Sequence, residues 1–170
     1  MIKNDSEISG FFDFKILYDQ IAEQIPNGSR FAEVGVFRGA SLCYLASKVK
    51  ELGKTNCQFY AIDIWKGRSD QNIFFANCIE YGVAEMIRPI RALSSIALLH
   101  FPANYLFSVM IDGDHRENQT VKDVKMSLHR TTDIVCGHDI HLPSVRRAVD
   151  KTIGEGNYDI IGNCWIYRKM

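Results

Sequence analysis

The groups best suited to chemistry are two aspartates with histidines beside them, in Ile111-Asp112-Gly113-Asp114-His115 and in Cys136-Gly137-His138-Asp139. Each run follows a short apolar stretch of strand-forming residues. In a parallel sheet, neighbouring strand ends open on one crevice, so Asp112 and Asp139 are expected to face each other across it. Two facing carboxylates repel unless they are protonated, hydrogen-bonded or bridged by a cation. A divalent cation is the simplest bridge. Magnesium suits the oxygen ligands, and coordination by His138 would shift the preference toward manganese, iron or zinc. Such a cation lowers the pKa of a bound hydroxyl and fixes its position. Asp114 and His115, within a turn of Asp112, are the candidate bases for the released proton. Asp114 fits equally well as the N-cap of a helix starting near Glu117.

A second constellation lies earlier in the chain, in Glu33-Val34-Gly35-Val36-Phe37-Arg38-Gly39-Ala40-Ser41. Gly35 would allow a sharp turn where a strand becomes a loop, and Gly39 would let the backbone approach a ligand closely. The helix start behind Gly39 offers free N–H groups, and Ser41 adds a hydroxyl. The glycines are spaced G-x-x-x-G, sparser than the G-x-G-x-x-G of pyrophosphate-binding turns. Such a loop suits a ligand carrying a carboxylate and no phosphate. Asp63, at the tip of the next strand, is placed to accept both hydroxyl protons of a ribose.

Positioning these groups requires an alternation of strands and helices, and the hydrophobic pattern supplies it. Strands are expected over 30–36, 57–64, 86–90, 106–111 and 133–137, and helices over 14–24, 40–52, 71–81, 94–100, 117–128 and 144–153. His141 and Pro143 belong to the entry of the last helix, and His100 and His129 read as surface positions. Gly162-Asn163 separates two further β-prone runs, 158–161 and 164–168, as a two-residue hairpin turn does. The alternation implies an α/β fold with a mostly parallel sheet, helices on both faces and a C-terminal antiparallel hairpin. A dehydrogenase-type nucleotide domain is expected to continue in parallel instead.

Length and composition narrow the classes further. The chain of 170 residues fits a single domain, with an N-terminal helical segment over 1–28 and a core over 29–170. Twenty basic and 20 acidic residues leave no net charge, so no basic field exists for a nucleic acid. No apolar run reaches the roughly 20 residues of a membrane span, and residues 1–10 are too polar for a signal peptide. Five scattered cysteines form no C-x-x-C pair, and four of them, in apolar surroundings, read as core residues of a reduced, cytoplasmic protein. The aromatic runs Phe11-Phe12-Asp13-Phe14 and Ile73-Phe74-Phe75 suit either core or a lid over an apolar acceptor.

Taken in order, these runs resemble the class I S-adenosylmethionine-dependent methyltransferases, in particular the macrocin-type sugar O-methyltransferase and cephalosporin-hydroxylase-like group. The matching residues are Glu33-Val34-Gly35-x-x-x-Gly39-x-Ser41, Ala61-Ile62-Asp63-Ile64-Trp65-x-Gly67, Ile111 to His115, Gly137-His138-Asp139 and Val145-x-x-Ala148-Val149. The resemblance implies a Rossmann-like methyltransferase sheet and S-adenosylmethionine as cofactor. Glu33, Gly35, Gly39 and Ser41 would line its methionine end, Asp63 would hold its ribose with Trp65 alongside, Ser94 would lie near the adenine, and Asp112 near the methyl donor. A divalent metal, Mg2+ in relatives, would sit on Asp112, His138 and Asp139, and the acceptor would be the hydroxyl of a small molecule.

Two features depart from the family pattern. The turn before the fifth strand is Arg130-Thr131-Thr132 where a Pro-Gly-Gly is usual, and no insertion caps the acceptor pocket, which would suit completion by a second copy in a homo-oligomer. The residues leave three other readings open: a nicotinamide-dependent oxidoreductase, a non-catalytic nucleoside-binding protein, and a metal-assisted hydrolase using Asp112, Asp139 and His138.

Overall fold

The computed structural model describes residues 12–169. Its elements follow the hydrophobic pattern closely. In chain order they are α1 (Lys15–Gln24), β1 (Arg30–Val34), α2 (Ala40–Glu51), β2 (Gln58–Asp63), α3 (Arg68–Glu80), β3 (Ile87–Arg91), α4 (Ser94–Leu99), β4 (Leu106–Ile111), α5 (Glu117–Arg130), β5 (Thr131–Gly137), α6 (Pro143–Ile153), β6 (Asp159–Ile161) and β7 (Cys164–Arg168). The strands form one sheet in the order β3-β2-β1-β4-β5-β7-β6. Strand β7 runs antiparallel to both its neighbours, β5 and β6, and every other pairing is parallel. The hairpin turn at Gly162-Asn163 thus inserts β7 between β5 and β6.

Alternation along each strand divides the core into two layers. Phe31, Phe59, Ala61, Met110 and Cys136 pack with α1, α2 and α3, whereas Ala32, Val34, Ile62, Val109 and Val135 pack with α4, α5 and α6. Phe14 and Phe74 belong to the core; Phe12 packs partly buried against it, Phe75 is exposed, and Phe11 lies outside the described residues. All five cysteines are buried and free. No helix among the described residues is long and apolar enough to cross a membrane.

Between α5 and β5 there is no loop at all. Arg130 ends the helix, and Thr131 already has extended backbone and starts the strand. The carbonyls freed at this junction find a donor in Lys169, whose Nζ reaches the oxygens of Leu128 (3.1 Å) and Thr131 (2.5 Å). This explains why the chain dispenses with a glycine turn here.

The order of the sheet creates the site. From β1 the chain proceeds outward through β2 and β3, then returns to β4 beside β1 and moves the other way. The loops after β1 and β4 therefore diverge and leave a crevice at the carboxyl ends of the strands. Beyond the strands the ladder continues, with Gly35 N–H bonded to Ile62 O (2.8 Å), Asp112 N–H to Val34 O (2.8 Å) and His138 N–H to Ile111 O (3.0 Å). These bonds hold the functional loops at their roots.

Candidate active site

A cavity of about 460 Å³ opens at this crevice, a size suited to a small molecule. Its lining includes Val34 and Gly35 after β1, Ile62, Asp63 and Ile64 after β2, Ala92, Leu93 and Ser94 after β3, and Asp112 and Gly113 after β4. Gly35 has φ +87°, and a Cβ there would overlap the carbonyl of Asp112, with Gly113 Cα only 2.7 Å away. The glycine thus lets the β1 and β4 loops touch. Asp63 is fixed before any ligand arrives: Phe37 N–H donates to Oδ2 (2.8 Å) and Trp65 N–H to Oδ1 (2.7 Å). Each oxygen keeps a lone pair for one hydroxyl of a vicinal diol.

Adjoining this cavity, and sharing Asp112 with it, is a compact cluster of ligand-type groups. One ligand atom each from Asp112, His138 and Asp139 lies within 4.8 Å of the other two. These are the three residues the sequence singled out. His138 Nδ1 stands 3.5 Å from Asp112 Oδ1 and 3.4 Å from Asp139 Oδ1. His115 Nε2 approaches from the open side, 3.0 Å from Asp139 Oδ2 and 3.6 Å from Asp112 Oδ1. On the far side of the buried His138 ring, Nε2 lies 2.8 Å from Asp13 Oδ1. That contact and the one from His115 Nε2 to Asp139 are close but misdirected, so neither nitrogen makes a directed hydrogen bond. Asp139 itself holds φ +56°, a conformation costing roughly 1 to 3 kcal/mol for a non-glycine residue.

The electrostatics follow from this crowding. Burial alone would favour the neutral acid at Asp112, but the His115 and His138 imidazoles outweigh it and hold the carboxyl below its ordinary range. Asp112 raises His115 in turn. For His138, burial opposes the imidazolium, yet Asp112, Asp139 and Asp13 together push it up to about 9. The carboxylates thus favour the protonated form of the imidazoles beside them, and a bound cation would compete with those protons. The donor set fits a divalent cation: two carboxylates, an imidazole nitrogen pointing between them, and an outer carboxylate behind the ring.

The model of the methyltransferase domain family matches residues 32–140. The chain belongs to that family. No curated protein matches it significantly. Among solved structures it is similar to an O-methyltransferase from Bacillus cereus in complex with SAH, at 12% identity and a TM-score of 0.71, covering 96% of this chain and 86% of that one. It is also similar to the O-methyltransferase TomG from Streptomyces achromogenes, in complex with SAM, at 15% identity and 0.68, covering 96% and 83%. A precorrin 8W decarboxylase from Methanobacterium thermoautotrophicum matches at 14% identity and 0.70, covering 99% and 96%. These likenesses confirm the Rossmann-like methyltransferase sheet, and with a decarboxylase among them the sheet alone does not choose a reaction. With β7 reversed and the family shown, the nicotinamide reading falls away.

Several residues expected to touch the methyltransferase's cofactor are not among those that line the cavity. Glu33 is 1% exposed and points, with Phe31, toward α1 and α2. It accepts hydrogen bonds from Tyr18 OH (2.5 Å) and Ser41 Oγ (2.5 Å), so the Ser41 hydroxyl is turned inward as well. Gly39 starts α2 with φ +79°, and a Cβ there would meet the Phe74 ring at 2.6 Å, so packing against Phe74 requires its smallness. Trp65, buried against Phe74 (5.0 Å), donates Nε1–H to Phe37 O (2.7 Å) and braces the loop that carries Asp63. Asp114 neither caps α5, whose N-cap is Arg116, nor stands free as a base. The Arg116 guanidinium pairs with it and holds its carboxyl below the usual range. Tyr18, Asp13 and Asp123 carry no mark of a site in the sequence, because Glu33, His138 and Ser94, their partners, lie on other elements.

Burial pushes Glu33 up from 4.5 to about 8, although the Ser41 and Tyr18 hydroxyls lower it. The native carboxyl therefore keeps its proton where the unfolded one has lost it. Its contribution to stability is full below pH 4.5 and is lost as pH rises through about 8. Urea unfolding at pH 5 and pH 8 should show a decline of a few kcal/mol that Glu33→Gln reduces. An equally steep decline in the variant would show that Glu33 is not the group responsible.

Proposed function

We propose that this methyltransferase transfers the methyl group of S-adenosylmethionine to a hydroxyl of a small acceptor, positioned beside a divalent cation on Asp112, His138 and Asp139. The observation that supports the reading is the sharing of Asp112 between the nucleoside-sized cavity and the ligand cluster, since a donor in the one and an acceptor at the other would meet side by side. Bound there, a divalent cation would supply Lewis acidity that makes the hydroxyl easier to ionise.

The chain's own residues supply the rest. Asp63, held by two backbone N–H groups, orients the ribose and with it the sulfonium. His115, 40% exposed at the open side of the cluster, stands where a proton leaving the acceptor can be taken up. Asp114, paired with Arg116, is less able to serve. Methyl transfer needs no covalent intermediate, since the sulfonium is already activated, and alignment of the two reactants provides most of the acceleration.

Calorimetric titration with S-adenosylhomocysteine, with and without magnesium or manganese, tests the reading. Micromolar binding is expected, abolished in Asp63→Ala, and manganese should bind more tightly than magnesium because one ligand is an imidazole. Asp13→Asn should weaken the cation about 10- to 100-fold, since it removes the charge behind His138, and leave S-adenosylhomocysteine affinity unchanged. Absence of S-adenosylhomocysteine binding in every condition would overturn the proposal. Cation binding unchanged in Asp13→Asn would remove only the outer carboxylate from it.

A further inference from the structure

Two of the free cysteines are in contact, away from the cation cluster. Cys43, in the first turn of α2, and Cys78, near the end of α3, lie with their sulfurs 3.8 Å apart. A disulfide needs about 2.05 Å, so a small approach of the two helices closes the gap. The pair sits among the contacts that join these helices. Phe74, one turn before Cys78, packs on Gly39 and on Trp65. Asn77 Nδ2 donates to Arg38 O (2.8 Å), and Arg38 pairs with Asp70 at 2.9 Å.

Helix α3 is thinly attached. Of its 13 residues only Phe74, Asn77 and Cys78 are buried, and Phe75 and Ile79 stand 42% and 72% exposed. An element with so few buried contacts opens locally at a lower free energy than the whole domain. While it is closed, both sulfurs are shielded, and the Cys78 contact together with burial pushes the Cys43 thiol up. Opening of α3 carries Cys78 into water, and reclosing returns it to Cys43.

We propose that Cys43 and Cys78 form an oxidation site, at which a hydroperoxide produces a disulfide that clamps α3 onto α2. With hydrogen peroxide, the Cys78 sulfur takes one oxygen as a sulfenic acid, and the other oxygen leaves as water. The Cys43 sulfur then attacks the sulfenic sulfur and displaces its oxygen as a second water. Two thiols are thereby oxidised by two electrons, and one peroxide is reduced to two waters.

The clamp bears on the cavity through Phe74. Asp63 is held by the N–H groups of Phe37 and Trp65, and the indole that ties these two residues together packs on the Phe74 ring (5.0 Å). A nucleoside bound at Asp63 favours the closed helix and so shields the thiols. This coupling rests on the cofactor reading of the cavity; the disulfide does not.

The test exposes the folded, reduced protein to hydrogen peroxide. The five free thiols should fall to three, and peptide mapping should find Cys43 linked to Cys78. The melting temperature should rise by roughly 5 °C or more and return on reduction. Cys78→Ala, checked for its fold by circular dichroism, should form no link and show no rise. At S-adenosylhomocysteine about ten times its dissociation constant, link formation should slow roughly tenfold. Absence of the Cys43–Cys78 link in the oxidised, folded protein would overturn the proposal, as would a link that leaves the melting temperature unchanged. Linking at the same rate with S-adenosylhomocysteine bound would overturn the coupling to Asp63. Failure of S-adenosylhomocysteine to bind at all would overturn the cofactor reading, and the clamp would stand on the link and the melting curve.

Discussion

Asp112→Asn should reduce kcat/KM on the order of a thousandfold while leaving the protein folded. The two halves of this expectation come from different atoms of one residue. The fold depends on the Asp112 backbone, whose N–H bonds Val34 O (2.8 Å) and whose carbonyl lies against Gly35. Neither contact involves the carboxylate, and asparagine keeps its volume. The proposed function depends on the carboxylate, which lines the cavity and belongs to the cluster with His138 and Asp139. His115 and His138 keep it ionised despite its burial, so the substitution removes a full charge where the proposed function brings donor and acceptor together. Asp139→Asn offers the control. Both variants should weaken manganese binding, read by electron paramagnetic resonance, but only Asp112→Asn should also disturb S-adenosylhomocysteine binding. Rates are to be measured with a hydroxyl acceptor that the wild type methylates. A loss smaller than tenfold would show that the cluster and the cavity work independently.

The two constellations differed in how far the sequence could place them. Asp112 and Asp139 follow the apolar runs of β4 and β5, and adjacency of parallel strand ends brings them together whatever the details of packing. Gly35 and Asp63 were legible for the same reason. The orientation of Glu33, Ser41 and Trp65 was not, because proximity along the chain to a ligand loop does not fix which way a side chain faces. Strand β1 is buried on both sides, so no alternation of polar and apolar residues marks its two faces. Glu33 shares the face of Phe31, and its partner Tyr18 comes from α1, fifteen positions earlier. The same holds for Asp13 behind His138 and for Asp123 beside Ser94, contacts that exist only once distant parts of the chain have docked. Element boundaries show the smaller version of this effect. Helix α3 starts at Arg68 rather than Gln71, where Arg38 bonds Asp70 across to the loop after β1 at 2.9 Å. A tertiary ion pair extends it beyond its apolar pattern.

Gly35→Ala should destabilise the protein by about 3 kcal/mol or more, the largest effect expected of any single methyl group added to this chain. Two independent costs combine. The backbone holds φ +87°, which an L side chain adopts only with strain. The new Cβ would also overlap the Asp112 carbonyl, and backbone on both sides cannot yield as a side-chain tip would. Gly28→Ala separates the two, since φ is +74° there and nothing lies within 4 Å of the added carbon. It should cost about 1 kcal/mol. Gly39→Ala falls between, because the obstacle is the Phe74 ring, a side chain that has some room to shift. Urea unfolding of the three variants should therefore rank Gly35 well above Gly39 and Gly39 above Gly28. If Gly35→Ala folds, the β1 and β4 loops must separate, and Asp112 moves away from the cavity with them. S-adenosylhomocysteine binding should then fall in the folded fraction as well. Stability within about 1 kcal/mol of Gly28→Ala would mean the two loops can part cheaply, and the rigid contact that sets Asp112 beside the cavity would have to be given up.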